Sequence, residues 1–498
     1  MEQKLIQIHP RDNVAVALEE LAPGTQVCVG GASFTVGDAI PFGHKMALTD
    51  LKPGDMVYKY GSPIGHATQA VRAGAWIHSH NLKTNLEGLL EYRYTPEPSV
   101  TAQPEAARDT FLGYRRADGR VGTRNELWII PTVSCVNRTV NRIAEVARES
   151  GLQAGDGIFA YPHNTGCSQL GDDYETTRKL LANLVLHPNA GGVLLVSLGC
   201  ENNDLEHFLP ALGEYDHSRI RTLVTQDVEG DEIQAALAMM REIAAVMAQD
   251  HREEVSVEHL VLGFKCGGSD AFSGITANPL CGRISQRVTQ QGGTAVLTEV
   301  PEMFGAETQL MNRADSQETF QKVVDMINSF KEYYIRHQQP IYENPSPGNK
   351  RGGITTLEEK SLGCIQKGGH ATVTDTLEMG ETCRRRGLNL MTGPGNDSVS
   401  VTNLLTSQAQ VLLFTTGRGN PLGTAIPTIK IASNSNLYRR KGNWMDFNAG
   451  SVLEHGSMDQ AAQELWELVL DVASGRRHTR NEENNDREVM FFKDGVIL

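Results

Sequence analysis

The chain has 498 residues, too many for one hydrophobic core, so about two to four domains are expected. A net charge of −14 excludes nucleic acid or an anionic membrane as the main partner, but leaves room for a small anionic substrate held by a few local cations. No apolar run reaches the length of a membrane span, and no charged start leads into an apolar signal segment; a cytoplasmic protein is expected.

The eight cysteines lack the short paired spacings of a secreted disulfide framework, and no Cys-x-x-Cys is present. They are read as reduced thiols serving as ligands or core residues. Residues 1–92 read as a compact β domain, with turn signals at Pro23-Gly24, Gly30-Gly31, Pro53-Gly54, Ser62-Pro63 and Ala73-Gly74. Within it, His44 follows a glycine turn. His78 and His80 lie two apart in an expected strand, which would put both imidazoles on one face, roughly 6–7 Å apart, a spacing suited to one metal. Residues 93–110, with Pro96, Pro98 and Pro104, read as a linker.

Strand–helix alternation then begins, dividing into units over 111–250 and 251–498. Helices are expected over Val140–Glu149, Asp173–Leu186, Asp231–Ala248, Gln317–His337 and Met458–Ala473. Such alternation predicts parallel sheets covered on both faces. Four apolar runs each end in a cysteine beside polar residues: Leu127–Val133 before Cys135, Ile158–Tyr161 before Cys167, Val193–Leu198 before Cys200, and Leu260–Phe264 before Cys266-Gly267-Gly268-Ser269-Asp270. If these strands lie side by side in one sheet, the four thiols point into one crevice at its carboxyl edge, where ligands bind. A small cysteine packed in a tight turn is the plainer alternative.

Thr294–Thr298 is a further strand, ending at Glu299, the carboxylate drawn towards the site; an acid-rich helix start is the alternative. Residues 343–354, with two prolines, three glycines and the cations Lys350 and Arg351, read as a specified loop able to hold a carboxylate. Thr355–Lys360 starts a helix with an acidic first turn. Strands Leu388–Met391 and Val411–Thr415 follow, the second ending in a glycine-flanked Arg418, an anion-binding candidate; a last strand is read at Glu488–Phe492. No Walker motif or Gly-x-Gly-x-x-Gly indicates a nucleotide. Thiols, histidines, carboxylates and cations at strand ends suit metal-assisted chemistry on a small oxyanion, such as loss of water from a hydroxy acid.

The chain resembles the altronate/galactarate dehydratase family over its whole length. The resemblance rests on Gly43-His44-Lys45, Ile77–Asn81, Gly122–Leu127, Gly166–Gly171, Gly199–Asn203, Cys266–Pro279, Asn344–Gly353, Lys360–Cys364 and Thr415–Gly419. It implies a small N-terminal SAF-type β domain followed by two α/β units with mainly parallel sheets. It also implies conversion of D-altronate to 2-dehydro-3-deoxy-D-gluconate and water in hexuronate breakdown, with activation by Fe(2+) or Mn(2+), or an iron–sulfur cluster on the strand-end thiols. On these motifs the expected catalytic residues are His44, Glu201, Asp270 and Glu299, and the expected substrate contacts are Arg124, Ser269, Asn349, Lys350, Lys360 and Arg418. The expected metal ligands are His78, His80, Cys135, Cys167, Cys200 and Cys266. A homo-oligomer without nucleic-acid or membrane partners is expected. Galactarate dehydration, a related sulfo-lyase elimination and a non-catalytic sugar-acid sensor are the alternatives. Ser134, Arg138, Thr165, Asn420 and Leu422 depart from the family pattern at the candidate loops.

Overall fold

The computed structural model describes residues 3–98, 108–454 and 456–498. The stretch 99–107, half of the expected linker, lies outside the described residues. The N-terminal part is built of short antiparallel strands in sheets of four, two and three, with its own buried cluster that includes Val27, Ile40 and Met46.

Thr110–Arg115 pairs antiparallel with Glu253–Ser256, so the chain enters and leaves the first α/β unit through one small ribbon. Inside that unit the strands lie in the order Ile158–Ala160, Glu126–Pro131, Ala190–Ser197, Ile220–Val224, all parallel. Helix Glu232–Met247 shows why the unit closes: Ala236, Leu237, Met240, Ile243, Ala244 and Met247 recur at helical spacing and are its buried stripe. The second unit holds a seven-stranded parallel sheet in the order Val373–Leu377, Gly387–Met391, Thr294–Leu297, Val261–Cys266, Val411–Thr416, Thr428–Ala432, Phe447–Asn448. Its switch point falls at the central strand Val261–Cys266. The chain goes to one side for Thr294–Leu297 and later to the other for Val411–Thr416, and such a reversal opens a crevice at the carboxyl edge.

Four expectations are corrected. The cysteine-tipped strands divide between two sheets: those before Cys135, Cys167 and Cys200 share the first, and Cys266 ends a strand of the second. The strand beginning at Trp76 stops at Ile77, and His78–Asn81 is a turn closed by His78 N donating to Asn81 Oδ1, 2.9 Å, so His78 and His80 do not share a strand face. The 343–354 loop contains a helix, Pro347–Arg351, started by a reciprocal cap between Ser346 and Asn349. Residues 488–492 form no strand; they run as extended chain over the first unit, with Phe491 N donating to Asn164 Oδ1. Strands Ile220–Val224, Val373–Leu377 and Thr428–Ala432 were not anticipated.

Candidate functional site

The carboxyl edge of the seven-stranded sheet gathers a buried network of charges. Lys265, in the central strand, has no exposed surface. Its ammonium contacts Glu299 Oε1, Asp397 Oδ1 at 2.9 Å and Gly395 O at 3.2 Å. Glu299 stands at φ 71°, a left-handed conformation that turns its carboxylate back over the sheet, and its other oxygen accepts from Lys367 Nζ at 2.7 Å. In the next turn, Glu302 pairs with Lys360 Nζ at 2.8 Å through one oxygen and accepts from Cys364 Sγ at 2.9 Å through the other. Cys266 Sγ lies 2.7 Å from Ser269 Oγ and 3.7 Å from Asn278 Nδ2. Lys360 also reaches Asn344 Oδ1 at 3.0 Å and Asn349 Oδ1 at 3.4 Å, and Asn349 Nδ2 donates to Ser269 O at 2.8 Å.

The electrostatics follow from this pairing. Burial opposes the Lys265 charge, but Glu299, Asp397 and Glu302 outweigh it and hold its pKa well above the ordinary value. Burial works to raise Glu302, yet Lys360, Lys265 and Lys367 hold it at about 2. The neighbouring Cys364 thiol leads the effects that lower Cys266 to about 6, and Lys367 adds to them against burial. The edge therefore carries three ammonium groups, their carboxylate partners and a thiol poised to ionise at neutral pH. At its mouth Arg418 and Arg351 are exposed and Lys350 is half-buried; none of the three side chains has an ion-pair partner among the described residues.

The N-terminal domain closes one flank. His44 Nδ1 accepts from Trp76 Nε1 at 3.2 Å, so Nε2 carries the proton and donates to Arg351 O at 3.3 Å. His78 Nε2 donates to Lys350 O at 2.9 Å, while its Nδ1 meets Ser79 Oγ at 3.0 Å, and the two imidazoles stack with centroids 4.9 Å apart. Burial leads the lowering of both, His44 to about 4, so they are neutral clamps on the Pro347–Arg351 helix. Lys45 and Lys59 reach across to Glu359 at 2.9 and 2.8 Å, a buried triad on the same flank. Glu359, next to Lys360, ties this flank to the network.

Glu299, Ser269, Asn349, Lys360 and Cys266 meet as expected, and Lys350 and Arg418 rim the same edge. Others have different occupations. Arg124 is buried, forked onto Glu482 at 2.7 and 3.1 Å with its remaining donors on Thr123 O and Val472 O, and is a structural tie rather than a substrate contact. Glu201 accepts from Thr132 and Ser197 hydroxyls and from the backbone N–H of Leu198, Gly199 and Cys200, so it shapes the Cys200 turn. Asp270 accepts from Ser273, Ser433 and Asn434 and joins three loops. His80 is exposed beside Trp76. Cys135, Cys167 and Cys200 are exposed at three strand ends of the other sheet, apart from Cys266. Among the described residues no group of three or more His, Cys, Asp or Glu side chains stands ready to hold a metal ion. Lys265, Lys367 and Asp397 were missed; the one available signal was a lysine between the apolar run Val261–Phe264 and Cys266.

Comparison with known proteins agrees with this organisation. Residues 3–85 match the altronate/galactarate dehydratase SAF domain, 113–248 the D-galactarate dehydratase/altronate hydrolase second domain, and 257–497 the D-galactarate/altronate dehydratase C-terminal domain. The chain is 48% identical over 499 residues to altronate dehydratase of Bacillus subtilis, covering 100% of both chains. It is 48% identical over 495 residues to altronate dehydratase of Escherichia coli, covering 99% of both. Identity to galactarate dehydratase (L-threo-forming) of Escherichia coli is 32% over 495 residues, covering 95% of this chain and 93% of that one. With a three-part architecture and full-length likeness of this extent, the chain belongs to the altronate/galactarate dehydratase family.

Proposed function

We propose that the protein is a hydro-lyase that converts D-altronate to 2-dehydro-3-deoxy-D-gluconate and water in hexuronate catabolism. The observation that carries this reading is full-length identity of 48% to two altronate dehydratases, against 32% to a galactarate dehydratase. Dehydration removes the proton at C2, expels the C3 hydroxyl as water, and leaves an enol that ketonises by taking a proton at C3. The step needs positive charge beside the developing enediolate and a partner able to exchange protons near neutral pH. Lys265, Lys360 and Lys367 supply the first, and the groups around Cys266, Glu299 and Glu302 supply the second. Arg418, Arg351 and Lys350, at the mouth, suit capture of the substrate carboxylate.

The metal belongs to the proposal as well. Iron(II) or manganese(II) at His78 and His80 fits poorly with ring nitrogens of His78 already committed to Lys350 O and Ser79 Oγ. The thiols of Cys135, Cys167 and Cys200, exposed at three neighbouring strand ends, are of the type that binds an iron–sulfur cluster, but among the described residues they do not stand grouped as a ready site. A cluster there would supply Lewis acidity, and no step above depends on it. Cytoplasmic location and a homo-oligomeric state complete the reading; no helix of the described residues is long and apolar enough to cross a membrane.

The test is a keto-acid assay with D-altronate, galactarate and related sugar acids on anaerobically purified protein, with iron and sulfide measured alongside. Turnover of altronate above the others is expected, and binding without turnover of any sugar acid would overturn the reading. Cys200→Ala is expected to lower iron content, whereas His78→Ala is expected to leave it unchanged.

A further inference from the structure

Strands Met56–Lys59 and Ser62–Ala67 of the small domain are joined by the two-residue turn Tyr60-Gly61. Both residues are left-handed, at φ 60° and 74°, and the Asp12 carboxylate fixes the turn by accepting from Tyr60 N at 3.2 Å and Gly61 N at 2.7 Å. Asparagine, aspartate or glycine suits the first position of such a turn, and a bulky side chain there is strained. The tyrosine has an occupation that accounts for it. Lys59 reaches Glu359 at 2.8 Å, and the phenol of Tyr60 lies against Gly363, one turn further along the same helix. The phenol oxygen sits between two glycines: a Cβ would lie 2.4 Å from it at Gly274 and 3.6 Å from it at Gly363. A strained residue of one domain thus fills a slot that glycine keeps open in another.

The slot borders the catalytic edge. A cavity of about 10 Å³, room for about one water molecule, has Tyr60, Ser269, Asn278 and Lys360 among its walls. Asn278 Nδ2 donates to Gly363 O at 3.0 Å, which ties the slot to that edge. Ser269 Oγ makes one hydrogen bond among the described residues, with Cys266 Sγ at 2.7 Å, so it has acceptor capacity to spare. We propose that Tyr60 is a further positioning residue for the dehydration: through one water in this cavity its hydroxyl orients the Ser269 hydroxyl, so the small domain takes part in the reaction. The inference rests on the reaction proposed above. Water suits the place because Ser269, Asn278, Lys360 and Tyr60 supply the two to four polar partners that a buried water needs. Tyr60 Oη donates to the water, and the water donates to Ser269 Oγ. A hydroxyl held in direction before the substrate arrives need not be ordered during the reaction.

The test compares Tyr60→Phe with the unsubstituted full-length protein in the altronate keto-acid assay, with thermal unfolding measured on both. Phenylalanine keeps the ring in its slot and removes the oxygen alone, so the melting temperature is expected to stay, and a role in packing alone would leave the kinetics as they were. The expected result is a fall in kcat of about 3- to 10-fold, the worth of one hydrogen bond, with KM for altronate within about twofold of the parent value. Unchanged kinetics, a change in KM alone, or a fall in kcat matched by a lowered melting temperature would each overturn the inference. Gly274→Ala, which keeps the tyrosine but closes the slot on its oxygen, is the second variant; it is expected to lower kcat, and activity equal to the parent's would count against the inference as well. If the unsubstituted chain does not turn over altronate, the reaction fails and this inference with it. Turnover by the parent beside an unaltered Tyr60→Phe sinks the inference alone.

Discussion

Removing a charge from water is expensive, and a buried ion is tolerated only where a partner and hydrogen bonds replace the solvent. Glu359 meets that demand for two lysines at once, and it also accepts from Thr355 N and Oγ1 at 2.9 and 2.7 Å. Glu359→Gln is therefore expected to destabilise the protein by about 3–5 kcal/mol, read from urea denaturation, because Lys45 and Lys59 stay buried without their counter-ion. Lys265 and Arg418 separate two other effects. Lys265→Met removes a buried charge from the site, and kcat is expected to fall about 10²-fold or more. Arg418→Ala removes an exposed, unpaired cation; stability should move by no more than about 0.5 kcal/mol while KM for altronate rises. If both variants changed KM alone, the network would be a binding scaffold and not the place of proton transfer. At this scale the sequence revealed residues that carry an unusual neighbourhood: Cys266 among glycines, Glu299 past a strand end, Arg418 between glycines. It misled at Arg124 and Glu201, since a polar residue in a distinctive motif looks the same whether its partner is a substrate or the protein's own backbone.

Helix Leu357–Cys364 shows how an element can be legible and still misread. Its first turn, Glu358-Glu359-Lys360, has the make-up of a solvated helix start, yet each of its eight residues is buried. Three successive charges go to three partners. Glu358 accepts from Thr84 Oγ1 and Asn85 N, Glu359 takes the two lysines of the small domain, and Lys360 turns to Glu302. Lys59 lies 300 positions from Glu359, and no local period encodes such a pairing. The strands and the long helices were readable because burial stripes repeat within the element itself. Close approach between the domains is equally non-local. Gly353 stands at φ +94°, and a Cβ there would lie 2.3 Å from Gly43 O. Gly353→Ala is expected to cost about 1–3 kcal/mol in backbone strain alone and to loosen the histidine flank. Gly54, at φ +90° with nothing within 4 Å of a Cβ, is the control for left-handed strain without a clash. Thermal unfolding of Gly353→Ala and Gly54→Ala should therefore separate, and equal melting shifts would remove the contact from the argument.

Across the whole molecule, the three parts are held together by buried neutral imidazoles as well as by ion pairs. His187, in the first α/β unit, donates from Nε2 to Ala409 O of the second at 2.9 Å and accepts at Nδ1 from Asn189 N. His163 bonds Pro131 O at 2.7 Å at the cysteine-bearing edge, and His44 and His78 clamp the small domain. Burial is the leading cause of depression in all four, to about 3 in His187 and about 4 in His163 and His44. In the unfolded chain these rings take up protons near pH 6.5. As pH falls from 6.5 towards 4 the unfolded state therefore binds protons that the folded state refuses, and stability falls with it. His163 and His187, both fully buried, each weigh up to about 3 kcal/mol in that balance, while the more exposed His44 weighs less. Below about pH 4.5 buried carboxylates such as Glu302, held at about 2, continue the decline. Urea midpoints measured at half-unit steps should thus drop steadily across the 6.5–4.5 window, before the carboxylates take over. His187→Gln, which keeps a donor towards Ala409 O but has no proton to take up, should flatten the slope there even if it lowers the plateau. A midpoint independent of pH down to about 4.5, or an unchanged slope in His187→Gln, would show that the units are not held by neutral histidines.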